Sequence, residues 1–196
     1  MDATGQLARR LSALQTTQGK VESLHSSGGI ARRDVERVYE GLYIAAITTL
    51  EGFLEALFYD VVLNHQDYAA DIRPRAQFRS RQVLRDVVLG DRPYVNWLPF
   101  DRTLARASTF LRGGRPFSAV NGTDKRLMQD WIKTRHAIAH TSAHADRVFL
   151  RDVVRGIPLP PRQRTPAGFL RSQLRPGVSR FENVLREMEG IARKIG

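Results

Sequence analysis

Apolar residues recur at the three- and four-residue intervals of an α-helix along most of the chain. The segments with this spacing are residues 5–25, 30 to about 64, 80–89, 101–111, 124–140 and 178–195. Clusters of Gly, Pro and Ser separate them, as at residues 26–29 and 113–116. The pattern therefore predicts an all-α fold, a compact bundle of about five to six helices.

The segment from Ile30 to about Asn64 has the longest helical pattern, and its apolar face is broad. It contains no proline, but Gly41 and Gly52 interrupt it. Glycines within a helix either allow a neighbouring helix to approach closely or reduce the stability of the helix. We expect this segment to be a central core helix, or a core helix that also contributes a dimer face.

Three segments lack clear helical spacing. Residues 71–75 are predicted to be extended or a turn because they include Pro74. Residues 147–154 fit either a short strand or another helical turn. The four prolines between residues 158 and 166 predict an irregular basic loop over residues 156–166.

The helix that starts near Thr123 and Asp124 contains polar residues where core residues are expected. Arg135 falls on the apolar stripe, one turn after Trp131 and one turn before Ile138. His136 and His140 are four residues apart and therefore share one helical stripe. A cation and imidazoles on an otherwise apolar helix cost desolvation free energy unless other groups pair with them. This segment is therefore the first candidate for a functional site.

The sequence Arg-His-Ala-Ile-Ala-His at 135–140 resembles the R-x4-H signature of the HEPN superfamily, in the RHxIAH form of its ribonuclease-type members. The resemblance covers residues 35–60 and 124–144. It implies one HEPN-like domain over 1–196, with 71–120 and 145–196 as family-specific additions. It also implies a homodimer in which paired motifs line one cleft, and an antitoxin or other defence-system protein as a partner.

The implied activity is metal-independent endoribonuclease cleavage that leaves a 2′,3′-cyclic phosphate. In the family pattern His140 transfers the proton and Arg135 binds the phosphate, while His136 either binds phosphate or shares the proton transfer. The residue types suit this chemistry, since an imidazole titrates near neutral pH and a guanidinium is always charged. Arg135 and His140 lie about 140° apart on an ideal helix. Either the arginine wraps toward His140, or two motifs meet across a symmetric interface.

Glu51 is a candidate supporting residue. It lies in residues 45–54, which resemble the leading helix of HEPN domains, beside the apolar residues Ile47, Leu54 and Phe58. In one interpretation it is partly buried and forms a salt bridge with Arg135. In the other it faces solvent at the edge of the stripe without a partner.

The net charge of +11 is divided unevenly along the chain. Residues 1–70 contain 6 basic and 9 acidic residues, whereas residues 71–196 contain 25 basic and 11 acidic residues. This asymmetry favours RNA or another polyanion as a partner, although a general preference for Arg, at 27 Arg to 4 Lys, is an alternative. Residues 73–115 contain ten arginines, which are interleaved with aromatic residues that include Phe78, Tyr94, Trp97 and Phe110. Such a mixture is typical both of single-strand RNA sites and of a solvated Arg face above a core.

Composition excludes some classes of function. The chain contains no Cys, so thiolate chemistry, disulfides and thiolate-bound metals are excluded. No signal peptide is evident after Met1, and no uninterrupted apolar stretch has the length of a membrane span. We therefore expect a cytoplasmic protein without membrane contact, cofactor or metal.

Three other interpretations remain open. His140 could be a structural residue stabilised at a helix C-terminus. His136, His140 and His144 form an HxxxHxxxH pattern that could bind a metal, although zinc sites usually add an acid or Cys. The chain could also be a non-catalytic HEPN-like module that binds RNA, a nucleotide or a partner protein.

Overall fold

The structure, a computed structural model, describes residues 2–63, 72–140 and 142–196, and over these residues it confirms the all-α prediction. The helices are α1 Ala3–Ser26, α2 Arg32–Leu63, α3 Arg81–Leu89, α4 Phe100–Phe110, α5 Gly122–Ala139, α6 Ala143–Phe149, α7 Pro166–Arg171 and α8 Arg180–Ile195. A two-stranded antiparallel hairpin, β1 Gln173–Arg175 and β2 Val178–Ser179, precedes α8. Short helical turns over residues 112–114, 117–119, 150–154 and 161–163 complete the secondary structure of the described residues.

Helix α2 is the centre of the bundle. It has 32 residues and is therefore about 48 Å long. It packs against α1, α3, α4, α5, α7 and α8, which cover its broad apolar face. Near its C-terminal end, the Phe58 ring contacts the rings of Trp97, Phe110 and Phe117, so that aromatic residues of the loops and α4 close this end of the core.

The length and composition of α2 would also allow it to cross a membrane. An 18-residue window has a mean hydropathy of 1.4, and half of that window is buried inside the bundle. The core helix of a globular bundle has the same properties, because a helix covered by other helices must be apolar over most of its circumference.

A partly buried polar network connects α1, α2 and α7. The side-chain amide of Gln18 donates a hydrogen bond to the Tyr39 hydroxyl at 2.8 Å, and that hydroxyl donates to Glu22 at 2.8 Å. The Arg171 guanidinium donates two further bonds to the Glu22 carboxylate, at 2.8 and 2.9 Å. Burial raises the pKa of Tyr39, so the phenol remains protonated and can donate. The network fixes α7 against the first two helices.

Helix α5 is held at its N-terminus and along its length. Asn121 caps the helix and forms a reciprocal capping box with Asp124. Asp124 is only 5% exposed, and Lys194 of α8 donates to its two carboxylate oxygens at 2.8 and 2.9 Å. From α2, the Tyr43 hydroxyl donates to the backbone carbonyl of Trp131 at 3.0 Å. These contacts fix where the C-terminal end of α5 lies.

The main differences from the predicted elements are at short segments and helix ends. The motif helix ends at Ala139, one residue before His140, and its cap is Asn121 instead of Thr123 or Asp124. Residues 147–154 are helical. Helix α6, helix α7 and the hairpin have no counterpart among the helical segments predicted from the sequence, because elements of so few residues have no detectable periodicity. The predicted end of the second helix near Asn64 and the predicted turn residue Asp71 lie outside the described residues.

We predict that Asp124→Ala destabilises the protein by about 2 kcal/mol, because it removes the reciprocal half of the α5 capping box and a buried acceptor of charge-assisted hydrogen bonds. Urea denaturation at pH 7 measures the change. The matched control is Glu189→Ala, which removes the exposed i,i+4 pair with Arg193 on α8 and should cost about 0.5 kcal/mol or less. Equal losses for the two variants would contradict this account of how α5 is held.

Candidate functional site

The candidate site lies where α5 ends. His136 occupies the last turn of the helix, and His140 follows it with an extended backbone, at φ −124° and ψ 110°. The His140 N–H still donates to the His136 carbonyl at 2.9 Å. Ser142 then caps α6 by accepting from the Ala145 N–H at 3.2 Å. The segment around His140 is therefore a short connection between two helices, and Thr141 lies outside the described residues.

The imidazoles of His136 and His140 contact each other. Their ring centroids are 5.7 Å apart and the ring planes are inclined by 63°, an edge-to-face arrangement, and both residues are exposed. Partial burial lowers the pKa of His136, and the positive charges of Arg135 and His140 lower it further. His136 is therefore neutral at pH values where an ordinary histidine is still partly protonated, which suits a residue that accepts a proton.

Arg135 of α5 is partly buried, and its charge acts on Glu51 of α2. Burial raises the pKa of Glu51, and the positive charge of Arg135 opposes this increase. The two side chains do not form a direct ion pair within 4 Å. Neither sequence-based interpretation of Glu51 is therefore complete, because the carboxyl group is half-buried and feels the Arg135 charge without a salt bridge.

The structure brings Arg135, His136 and His140 to one end of α5, but they do not form a closed hydrogen-bonded unit. Among the described residues, no hydrogen bond joins the Arg135 guanidinium to either imidazole. Since His140 lies beyond the helix, the predicted 140° separation on an ideal helix does not describe its position. The resulting arrangement exposes two imidazoles to solvent, with the partly buried, permanently charged Arg135 at the same end of the helix.

The predicted HxxxHxxxH stripe is not continuous, because the helix ends before His140 and His144 lies on α6. Within the described residues, no group of three or more His, Asp or Glu side chains is arranged to hold a metal ion. Of the three histidines, only His136 lies within α5, so the four-residue spacing does not place them on one helical stripe.

A second polar cluster, which the sequence analysis did not identify, lines a cavity of about 310 Å³ between α5, α7 and α8. The Arg180 guanidinium lies 4.9 Å from the centroid of the Phe169 ring, and Glu187 has a pKa raised by burial. Asn183 donates to Glu187 at 2.8 Å. The spacing of residues 180, 183 and 187 along one face of α8 is a signal that the sequence did contain.

Comparisons of the chain with protein-family models, with curated proteins and with solved structures gave no match. The resemblance of residues 35–60 and 124–144 to HEPN proteins therefore stays a prediction.

We predict that Glu51→Gln stabilises the protein at pH 7. A carboxyl group whose pKa is raised by folding contributes stability below its unfolded pKa and loses that contribution as the pH rises through its folded pKa. At pH 7 the parent protein therefore contains a destabilising half-buried carboxylate, which the amide removes. Urea denaturation at pH 7 and pH 4 should show that the advantage of the variant is larger at pH 7.

A thermodynamic cycle with Arg135→Gln tests the origin of this effect. Arg135→Gln should destabilise the parent at pH 7 by about 0.5–1 kcal/mol more than it destabilises the Glu51→Gln variant, because only the parent contains a carboxylate that the guanidinium stabilises. Additive effects of the two substitutions would show that the two side chains are not coupled.

Proposed function

We propose that the protein is a metal-independent endoribonuclease of the HEPN type, which cleaves RNA by transesterification through the 2′-hydroxyl. The observation that carries the proposal is the exposed contact between His136 and His140 directly beside Arg135. General acid–base cleavage of a phosphodiester requires a base, an acid and a cation near the phosphate, and these three side chains supply that set.

The proposed reaction uses the lowered pKa of His136. Neutral His136 accepts the proton of the 2′-hydroxyl, and the 2′-oxygen forms a bond to phosphorus. The bond from phosphorus to the 5′-oxygen breaks, and protonated His140 donates a proton to that leaving oxygen. Arg135 binds the non-bridging oxygens, whose negative charge increases in the transition state. The products are a 2′,3′-cyclic phosphate and a 5′-hydroxyl, and no oxidant, reductant or metal is needed.

We further propose that the active form is a homodimer in which two motifs share one cleft. The partial burial of Arg135 near Glu51 and the position of His140 beyond the helix leave these two groups unconnected within one chain. A symmetric interface would pair Arg135 of one protomer with His140 of its partner. In this proposal the protein acts in the cytoplasm as a toxin or defence effector, and an antitoxin or another defence protein controls it.

The second candidate is a non-catalytic module that binds RNA, a nucleotide or a partner protein. The cavity between α5, α7 and α8 favours it, because its volume of about 310 Å³ and its mixture of aromatic and polar walls suit a small-molecule site. A labelled single-stranded RNA that is retarded but never cut by the purified protein would favour this candidate over the enzyme.

We predict that His140→Ala and Arg135→Ala each reduce RNA cleavage in EDTA by about 100-fold or more, because each removes a group that acts in the transition state. The measurement is the rate at which a labelled RNA yields 2′,3′-cyclic phosphate ends. The matched control is His144→Ala, since His144 is exposed on α6 outside the proposed site. Undiminished cleavage by the first two variants would rule out the mechanism.

A mixing experiment tests whether the site is shared between protomers. Arg135→Ala and His140→Ala proteins should each be inactive, and their mixture should recover a substantial part of the parent activity after subunit exchange. Recovery is expected because one cleft of the mixed dimer would contain an intact Arg135 and an intact His140 from different protomers. A mixture as inactive as its components would show that each protomer must supply both groups.

A further inference from the structure

An open groove of about 630 Å³ lies between α3, α4 and the loop that joins them. The residues that line the groove include Val87, Arg92, Tyr94, Asn96, Arg102 and Arg106. Apart from Val87, which is on α3, these residues belong to the loop and to α4. The groove thus lies in the basic part of the chain, and it shares no lining residue with the end of α5.

Three guanidinium groups meet in this groove without acidic ion-pair partners among the described residues. Arg92 donates to the backbone carbonyls of Val88 and Leu89, at 3.0 and 3.2 Å. Arg106 lies over the Trp97 ring at 4.6 Å from its centroid. These contacts position Arg92 and Arg106 without pairing either of them with a carboxylate.

The mutual repulsion of these cations is evident in Arg106. Partial burial lowers the pKa of its guanidinium, and the charges of Arg92 and Arg102 lower it further. Glu55 of α2 opposes the shift from a distance but does not form an ion pair with Arg106. An anion in the groove would relieve this repulsion, so the electrostatics favour an anionic ligand.

Beside the cations lies an aromatic ring that the core does not use. Tyr94 is 66% exposed and Val87 is 55% exposed. Of the other aromatic residues in this basic region, Trp97 is buried, and Phe78 and Phe110 are partly buried and pack against each other. Tyr94 therefore offers an open π-face within the same groove as the three guanidinium groups.

We propose that this groove binds a single strand of RNA, with its phosphates on Arg92, Arg102 and Arg106 and one base stacked on Tyr94. Cations for the backbone and an exposed ring for a base are the two elements of a single-strand site. A duplex hides the faces of its bases and would leave Tyr94 unused. The choice of RNA over other single strands rests on the proposed function, whereas the presence of the groove does not.

The experiment measures binding of a fluorescein-labelled RNA decanucleotide in EDTA, with His140→Ala in every protein so that the RNA stays intact. One protein also contains Arg92→Gln, Arg102→Gln and Arg106→Gln. The matched control contains Arg33→Gln, Arg164→Gln and Arg186→Gln, which remove the same charge from exposed positions outside the groove.

Each phosphate contact contributes about −0.7 to the slope of log K against log salt concentration for a single strand. The groove variant should therefore lower the magnitude of the slope by about 2 and weaken binding about 100-fold at about 0.1 M salt. The control should weaken binding less than about 3-fold. Equal losses for the two triple variants, or an unchanged slope, would overturn the proposal.

Arg92 and Arg106 also have structural contacts, so a second variant avoids them. Tyr94→Ser with Arg102→Gln changes two exposed side chains and should weaken binding of single-stranded RNA at least about 10-fold, one stacked base and one phosphate contact being lost. It should change the affinity for an RNA duplex of equal length by less than about 5-fold. The proposal would be overturned if this variant bound the single strand as tightly as the parent protein does. It would also be overturned if the parent protein bound the duplex more tightly than the single strand.

The two proposals fail separately. Loss of binding in the groove variants, together with parent protein that never cuts RNA, would contradict the proposed nuclease and support the groove. Unchanged binding in the groove variants, together with cleavage that depends on His140, would support the nuclease and contradict the groove.

Discussion

The whole structure depends on covering α2. Its 32 residues contain a broad apolar face, with 14 buried side chains, and such a face is stable in water only when other elements pack over it. Helices α1, α5, α7 and α8 do so along its length, and α3, α4 and the aromatic loop residues close its C-terminal part. The position of α5, and therefore of Arg135 and the two histidines, follows from this packing.

Much of this arrangement can be predicted from the sequence, because long helices have a strong period. The apolar spacing over residues 30–64 and 178–195 predicts α2 and α8 to within a few residues over the described part of the chain. The short α7 and the hairpin escape prediction, since six residues or fewer do not define a period. The end of α5 before His140 also escapes prediction, because no Gly or Pro marks that position and the helical spacing of the sequence continues to residue 140.

The sequence suggests which residues belong to the candidate site, but it does not predict the distances and contacts between them. Arg135 and His136 are conspicuous because they are polar residues in a helix that packs against a core. Whether Glu51 reaches Arg135 depends on the distance between α2 and α5, which no sequence pattern encodes. The structure gives an intermediate result, in which the two charges act on each other without contact. Likewise, the arginines of residues 73–115 are visible in the sequence, but only the fold separates the exposed Tyr94 from the buried Trp97.

The two imidazoles at the end of α5 are attached to backbone of different conformation. His136 lies within the hydrogen-bonded helix α5, whereas His140 lies in the connection to α6, which begins after the Ser142 cap. Two side chains one turn apart on a regular helix would have a Cβ separation of about 6 Å. Here, by contrast, rotation about the backbone bonds of a single non-helical residue changes the span between the rings. The separation of the two imidazoles therefore depends on the conformation of one residue outside α5 as well as on the helix itself.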